Sequence, residues 1–198
     1  HFGHTQRSTL PAEFQIGAFV ANQSDGFIRA NTHRPWLLVF STFEPHPPYT
    51  GPYDGMYDPE SLPTGPTFMT HPAENHALFN RSRASFYPTS EAEPVDIEDM
   101  RQEASWRKLR AQYFGNAKIV DDAVGKLLRA LEDTGQMDRT AFAFTSDHGE
   151  MAGDHSMWEK RAFYEESARV PMLLSVPWLA TTQRRIGGVL GHVDLVPT

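Results

Sequence analysis

Between Ile97 and Thr134 the apolar residues Trp106, Leu109, Tyr113, Ala117, Val120, Val124, Leu127, Leu128 and Leu131 recur at three- and four-residue steps. That spacing lines one stripe of an α-helix, and no other stretch constrains the fold as tightly. Gly135 follows where a left-handed helix cap belongs. The pattern predicts one long helix over about 97–134. Upstream, Trp36-Leu37-Leu38-Val39-Phe40 is a continuous apolar run rich in β formers, the signature of a strand buried on both faces. Downstream, Thr140–Ser146 and Pro171–Val176 are two further β-type runs. Strand, long helix, strand is the rhythm of a mostly parallel sheet flanked by helices. The expected fold class is therefore α/β.

The rest of the chain is less regular. Residues 1–33 read as an irregular lead-in with a short helix around Asp25–Asn31. From Glu44 to about Glu93, Pro45, Pro47, Pro48, Pro52, Pro59, Pro63, Pro66, Pro72 and Pro88 alternate with glycines and scattered aromatics. An excursion of that length inside a compact domain is usually functional or mobile. The 15 prolines among 198 residues exceed the usual share of about 5%, and most of them sit there.

Charge and composition then exclude several classes of function. With 18 Lys and Arg against 25 Asp and Glu, the net charge of −7 argues against a nucleic-acid binder. A chain of this sign that handles an anion has to gather a few cations, or a metal, at one place. The absence of cysteine excludes disulfides, thiolate metal sites and a cysteine nucleophile on this chain. No apolar run approaches the ~20 residues of a membrane-spanning helix, and no signal peptide is visible at His1-Phe2-Gly3-His4.

Three short segments carry chemistry. Asp147-His148-Gly149-Glu150 follows the apolar run Ala141–Phe144, and ligands of parallel α/β sheets bind at the carboxyl ends of strands. A carboxylate suits any divalent cation, and a neutral imidazole adds borderline affinity; Gly149 would let the backbone turn tightly away. Thirteen residues after Asp147 stands Lys160, in Gly153-Asp154-His155-Ser156-Met157-Trp158-Glu159-Lys160. At the end of the Trp36–Phe40 run, Pro45-His46-Pro47-Pro48-Tyr49 pins an imidazole between prolines, where it would suit proton donation to a leaving group. Taken singly, each is also an ordinary loop pattern: a capping Asp beside a surface His, a solvated Lys, a turn His bonded to backbone.

Taken together and in order, they resemble the sulfatase family of the alkaline phosphatase superfamily. Tyr164-Glu165-Glu166-Ser167-Ala168-Arg169-Val170-Pro171-Met172 and Gly191-His192-Val193-Asp194-Leu195-Val196-Pro197-Thr198 also fit that family. The resemblance covers about 36–49 and 113–198 and is weak across the proline-rich stretch. It implies an alkaline-phosphatase-like fold and a sulfuric ester hydrolase. Asp147 and His148 would be two ligands of one divalent metal, calcium in most sulfatases and magnesium or manganese in some relatives. Lys160 would neutralise sulfate oxygens, and His46 would act as general acid at the leaving oxygen. His155 would lie near the substrate or brace the loop. Glu150, Asp154 and Glu159 are read as supporting or solvated groups, and Asp194 as the start of a helix with Pro197 in its first turn. The resemblance also implies a sulfated small molecule or carbohydrate as substrate and a periplasmic or secreted setting. Asn22-Gln23-Ser24 and Asn80-Arg81-Ser82 match the glycosylation pattern, which is frequent by chance.

The sequence departs from the family in one respect. Sulfatases use a formylglycine made from the first residue of a Cys/Ser-x-Pro/Ala-x-Arg segment, and neither Cys nor a Ser-x-Pro/Ala-x-Arg segment occurs here. Nothing before Trp36 resembles the paired acidic residues that complete the family's metal site. Residues 1–198 therefore read as part of a sulfatase catalytic domain without its nucleophile region. Such a chain, alone, is expected to bind a divalent ion weakly and not to hydrolyse sulfates. Two other readings remain open: a phosphonate monoester hydrolase or phosphodiesterase of the same superfamily, and a non-catalytic sulfatase-like protein that binds anions.

Overall fold

A computed structural model describes residues 10–78, 82, 99–179 and 182–195. Ile97, Pro88, Pro197 and the Asn80-Arg81 part of the second glycosylation match lie outside them. The long helix is present as α2, Glu103–Asp133. Its end follows from Gly135, which takes φ +64°. The amide of Gly135 bonds to Glu132 O at 3.0 Å and that of Gln136 to Leu131 O at 2.8 Å, the paired bonds of a Schellman cap.

The buried face of α2 is rotated from the expected stripe. Trp106, Leu109, Leu127 and Leu131 are inside as the stripe predicts, but Ala111, Gly115, Asn116, Ile119, Ala123 and Ala130 are buried while Tyr113, Ala117, Val120, Val124 and Leu128 are only partly so. Small and amide-bearing residues take that face because other backbone comes close. A Cβ on Gly115 would stand 3.0 Å from Tyr53 O, and Asn116 Nδ2 donates to Pro48 O at 3.1 Å. The described part of the proline-rich excursion therefore lies along α2 and is anchored to it.

The lead-in is the largest difference from expectation. Instead of a short helix at Asp25–Asn31, α1 spans Ile16–Ala30. Its inner face is Gly17, Ala21, Ser24 and Ile28, residues spaced for a helix but too small to stand out as an apolar stripe. The Glu44 carboxylate receives the amide of Gly17 at 3.3 Å near the helix start, where negative charge is favoured. Asn22 of the first glycosylation match sits in this helix and accepts from Lys126 Nζ, while Ser24 is buried.

Helices α1 and α2 enclose one cluster, Ala21, Ile28, Ala123, Leu127, Ala130 and Leu131, against which Trp36, Leu38, Phe40 and Phe142 pack. Trp36–Phe40 is not paired as a strand among the described residues, and it alternates instead of being buried on both faces: Leu37 is 87% and Val39 80% exposed. Among the described residues, helices cover only one side of this segment. Gln136 ties the corner, accepting from Trp36 Nε1 at 3.1 Å and donating to Ile28 O at 3.1 Å.

Both expected downstream strands form, as β1 Phe142–Thr145 and β2 Met172–Ser175. They pair with each other antiparallel, Phe142 opposite Ser175 and Thr145 opposite Met172, so the mostly parallel sheet is not found among the described residues. Parallel neighbours need a long crossover, usually a helix. The connection here is instead given to loops and the short helix α3, Glu165–Ala168. A second cluster of Tyr49, Trp106, Leu109 and Ala152, with Phe68, Met69, Tyr113 and Trp158 against it, sits under those loops. Asp194 closes a 3-10 turn, His192–Asp194, and accepts from Gly191 N at 2.8 Å; the helix expected to start there, with Pro197 in its first turn, falls on residues outside those described.

Candidate active site

The residue that joins the three sequence segments is Glu150, which the sequence alone marks only as a supporting or solvated group. Glu150, partly buried behind the tip of β1, accepts a hydrogen bond from Tyr49 Oη at 2.8 Å. It also accepts from the amide of Ala152 at 3.2 Å and from the amide of Glu159. Tyr49 belongs to the His46 turn, Glu150 follows Asp147-His148-Gly149, and Glu159 precedes Lys160. Burial pushes the Glu150 carboxyl up, against the lowering effect of the Tyr49 hydroxyl and the two amides. Burial raises the Tyr49 phenol, and the nearby Glu150 carboxylate raises it further. The sequence held one signal for this arrangement, a glutamate directly after the Asp-His-Gly triplet, with nothing to show what it touches.

At the tip of β1, Asp147 and His148 lie side by side, His148 Nε2 to Asp147 Oδ2 3.4 Å, with the Asp147 side chain 83% exposed. His148 Nδ1 is 2.8 Å from Gly149 O. A carbonyl only accepts, so Nδ1 donates to it and Nε2 is the ring nitrogen turned toward the carboxylate; a carbonyl on the far ring nitrogen is what orients metal-ligating imidazoles. The slight burial of Asp147 raises its carboxyl, but His148 and the hydrogen bonds from the His148 amide and Ser146 Oγ outweigh it and hold it below the usual range. This oxygen and nitrogen pair fits a divalent cation. Among the described residues, no group of three His, Cys, Asp or Glu side chains is placed to hold one. Most of a shell of 6–8 ligands would come from water or from residues beyond those described.

Gly149 is required for a different reason than the tight turn expected of it. A Cβ there would lie 2.1 Å from Glu166 O, and its amide donates to Ser167 O at 2.8 Å. Close approach of α3 fixes the glycine.

His46 is half-buried, its ring 4.4 Å from that of Phe43 and its Nδ1 2.8 Å from Pro47 O. Nδ1 again donates to a carbonyl, leaving Nε2 for proton exchange. Lys160, also half-buried, ends a loop pinned from below by α2. Arg110 donates to Ala152 O at 3.0 Å, approaches Asp154 Oδ2 at 3.4 Å, and reaches Pro63 O at 2.9 Å. Asp154 is thus buried and paired, and Thr67 Oγ1 donates to it at 2.7 Å. His155 is stacked on Tyr164, ring centroids 3.8 Å apart at 15°, with Nε2 4.0 Å from Glu166 Oε2. That geometry braces the loop against α3.

The family model described as Sulfatase matches residues 6–198. The chain belongs to the sulfatase family. It is 30% identical to the multifunctional alkaline phosphatase superfamily protein PehA of Trinickia caryophylli, over 96% of this chain and 38% of that protein. It is 33% identical to arylsulfatase K of Gallus gallus, over 85% of this chain and 32% of that one. Its structure matches that of phosphonate monoester hydrolase SpPMH from Silicibacter pomeroyi with a TM-score of 0.72 and 29% identity, covering 86% of this chain and 34% of that one. The chain thus spans about a third of the length of the relatives it matches, and its family members are hydrolases of the alkaline phosphatase superfamily.

Proposed function

We propose that these residues form part of the active site of a sulfuric ester hydrolase, in the polypeptide that carries this chain. The observation that supports this most is the convergence of the His46 turn, the Asp147-His148 tip and the Lys160 loop on the single carboxylate of Glu150. Cleavage of a sulfate ester develops charge on the sulfuryl oxygens and on the departing oxygen. Fixed cations stabilise the first, which is the role assigned to Lys160. A proton relieves the second, which is the role assigned to His46 through Nε2. Asp147 and His148 would hold a divalent ion, calcium or else magnesium or manganese, whose charge would polarise the ester. His155 supports the loop and lies at the substrate side. Nucleophilic attack is assigned to no residue of this chain, which has neither Cys nor a Ser-x-Pro/Ala-x-Arg segment. The substrate is a sulfated small molecule or carbohydrate, and the setting periplasmic or extracellular.

A second reading has its own support. The structural match to a phosphonate monoester hydrolase and the likeness to a multifunctional superfamily protein favour a phosphonate or phosphate ester as substrate, handled by the same residues. The two are separated by measuring kcat/KM for an aryl sulfate and an aryl phosphonate of identical leaving group, with the polypeptide that carries this chain. A higher value for the sulfate is the expected result; a higher value for the phosphonate replaces the first reading with the second. Absence of turnover on both, in a polypeptide that has a nucleophile segment, would favour an anion-binding protein.

A further inference from the structure

The loop that carries Lys160 is held in an unusual backbone conformation. Ala152, His155, Ser156, Glu159 and Arg161 have φ of +41°, +53°, +54°, +61° and +79°, a region that residues with side chains seldom adopt. Such a residue is strained and persists only where the surroundings over-determine it. Lys160 stands between two of them. Glu150 is what reaches both ends of this stretch: its Oε1 takes the amide of Ala152 and the amide of Glu159, each on a left-handed residue, while Oε2 takes the hydroxyl of Tyr49. Tyr49 is itself fully enclosed, 1% exposed, against Trp106 and Leu109 of α2. The carboxylate therefore ties the strained loop to a rigid post three residues from His46.

We propose that Glu150 is a positioning residue, whose carboxylate sets the place of Lys160 relative to the His46 turn by clamping the backbone on either side of the loop. The proposal rests on the reading of Lys160 as a group that acts on an anionic ester. An amide or shorter side chain at 150 cannot give the same three acceptor contacts. The loop then relaxes toward ordinary backbone angles and carries the ammonium off its position. Misplacement of about 1 Å is enough to cost roughly a hundredfold in rate.

The test is a double-mutant cycle on the polypeptide that carries this chain, assayed with an aryl sulfate and an aryl phosphonate. Glu150→Ala is expected to lower kcat by roughly 10- to 100-fold with KM within about threefold, because the contact it displaces acts in the transition state. In a Lys160→Ala background, the same substitution is expected to cost less than about threefold, since its effect passes through Lys160. An equal loss in both backgrounds overturns the proposal while leaving the role of Lys160 intact. A silent Lys160→Ala overturns the role of Lys160, and the clamp with it. Should Glu150→Ala fail to fold, Tyr49→Phe removes one contact and keeps the ring. It is expected to lower kcat several-fold, an effect absent from the Lys160→Ala background, and an unchanged kcat or an equal loss in both overturns the clamp.

Discussion

Tyr49 and Tyr113 stand edge to face with ring centroids 5.7 Å apart at 77°, and both phenols feel the Glu150 carboxylate. Burial, and then that charge, push Tyr113 up to about 12 from an ordinary value of 10.0. A phenol whose folded pKa is raised contributes stability that is complete below its unfolded value and lost as pH rises through the folded one. Melting temperature is therefore expected to hold up to about pH 10 and to fall between about 10 and 12. Tyr113→Phe should shallow that fall, and an identical fall in the variant would contradict the assignment. At this scale the sequence was legible where chemistry is local. The contacts described for Asp147, His148 and His46 lie within three residues of each, so each sits in a short segment that can be read as a unit. Glu150 was illegible because its partners lie as far as Tyr49, 101 positions away.

Helix α2 divides its length between two tasks. Its carboxyl-terminal half packs on α1, and its amino-terminal half supports the loops of the site through Trp106, Leu109 and Arg110. The contact with α1 depends on smallness. Ala21 is 1% exposed, and a Cβ on Gly17 would stand 3.0 Å from Ile119 Cγ2. Ala21→Leu is accordingly expected to destabilise the chain by about 1–3 kcal/mol through overpacking, whereas exposed Gln23→Leu should change stability by less than about 0.5 kcal/mol. Urea unfolding of the two variants checks this, and equal midpoints would contradict it. The same smallness explains why α1 escaped sequence reading: Gly17, Ala21, Ser24 and Ile28 keep helical spacing, yet only Ile28 is large and apolar. The long helix was legible because large apolar residues mark most of it. Strand direction was not, because β1 and β2 show their residue type and not which connection joins them.

Over the whole molecule, two buried clusters along one helix place a helical layer on one side and a set of site loops at one end. Leu37, Val39, Leu173 and Leu174 remain exposed, each more than half accessible, and the chain spans only about a third of the length of its relatives. The presence of both helix and strand and the order of the site segments could be read from sequence, since both are one-dimensional patterns. Their convergence could not, because it depends on α2 holding Tyr49 and Ala152 in one cluster. The central claim is that this convergence makes a place for an anionic ester, with Lys160 facing the charge. Its most direct test is kcat/KM for an aryl sulfate and an aryl phosphonate, measured on the polypeptide that carries this chain before and after Lys160→Ala, with circular dichroism confirming the fold. Loss of roughly 100- to 1,000-fold on the preferred ester is the predicted result, the scale on which removing one charge-stabilising group acts. Values within about twofold of the unsubstituted protein on both esters, at the noise level of such comparisons, would contradict it.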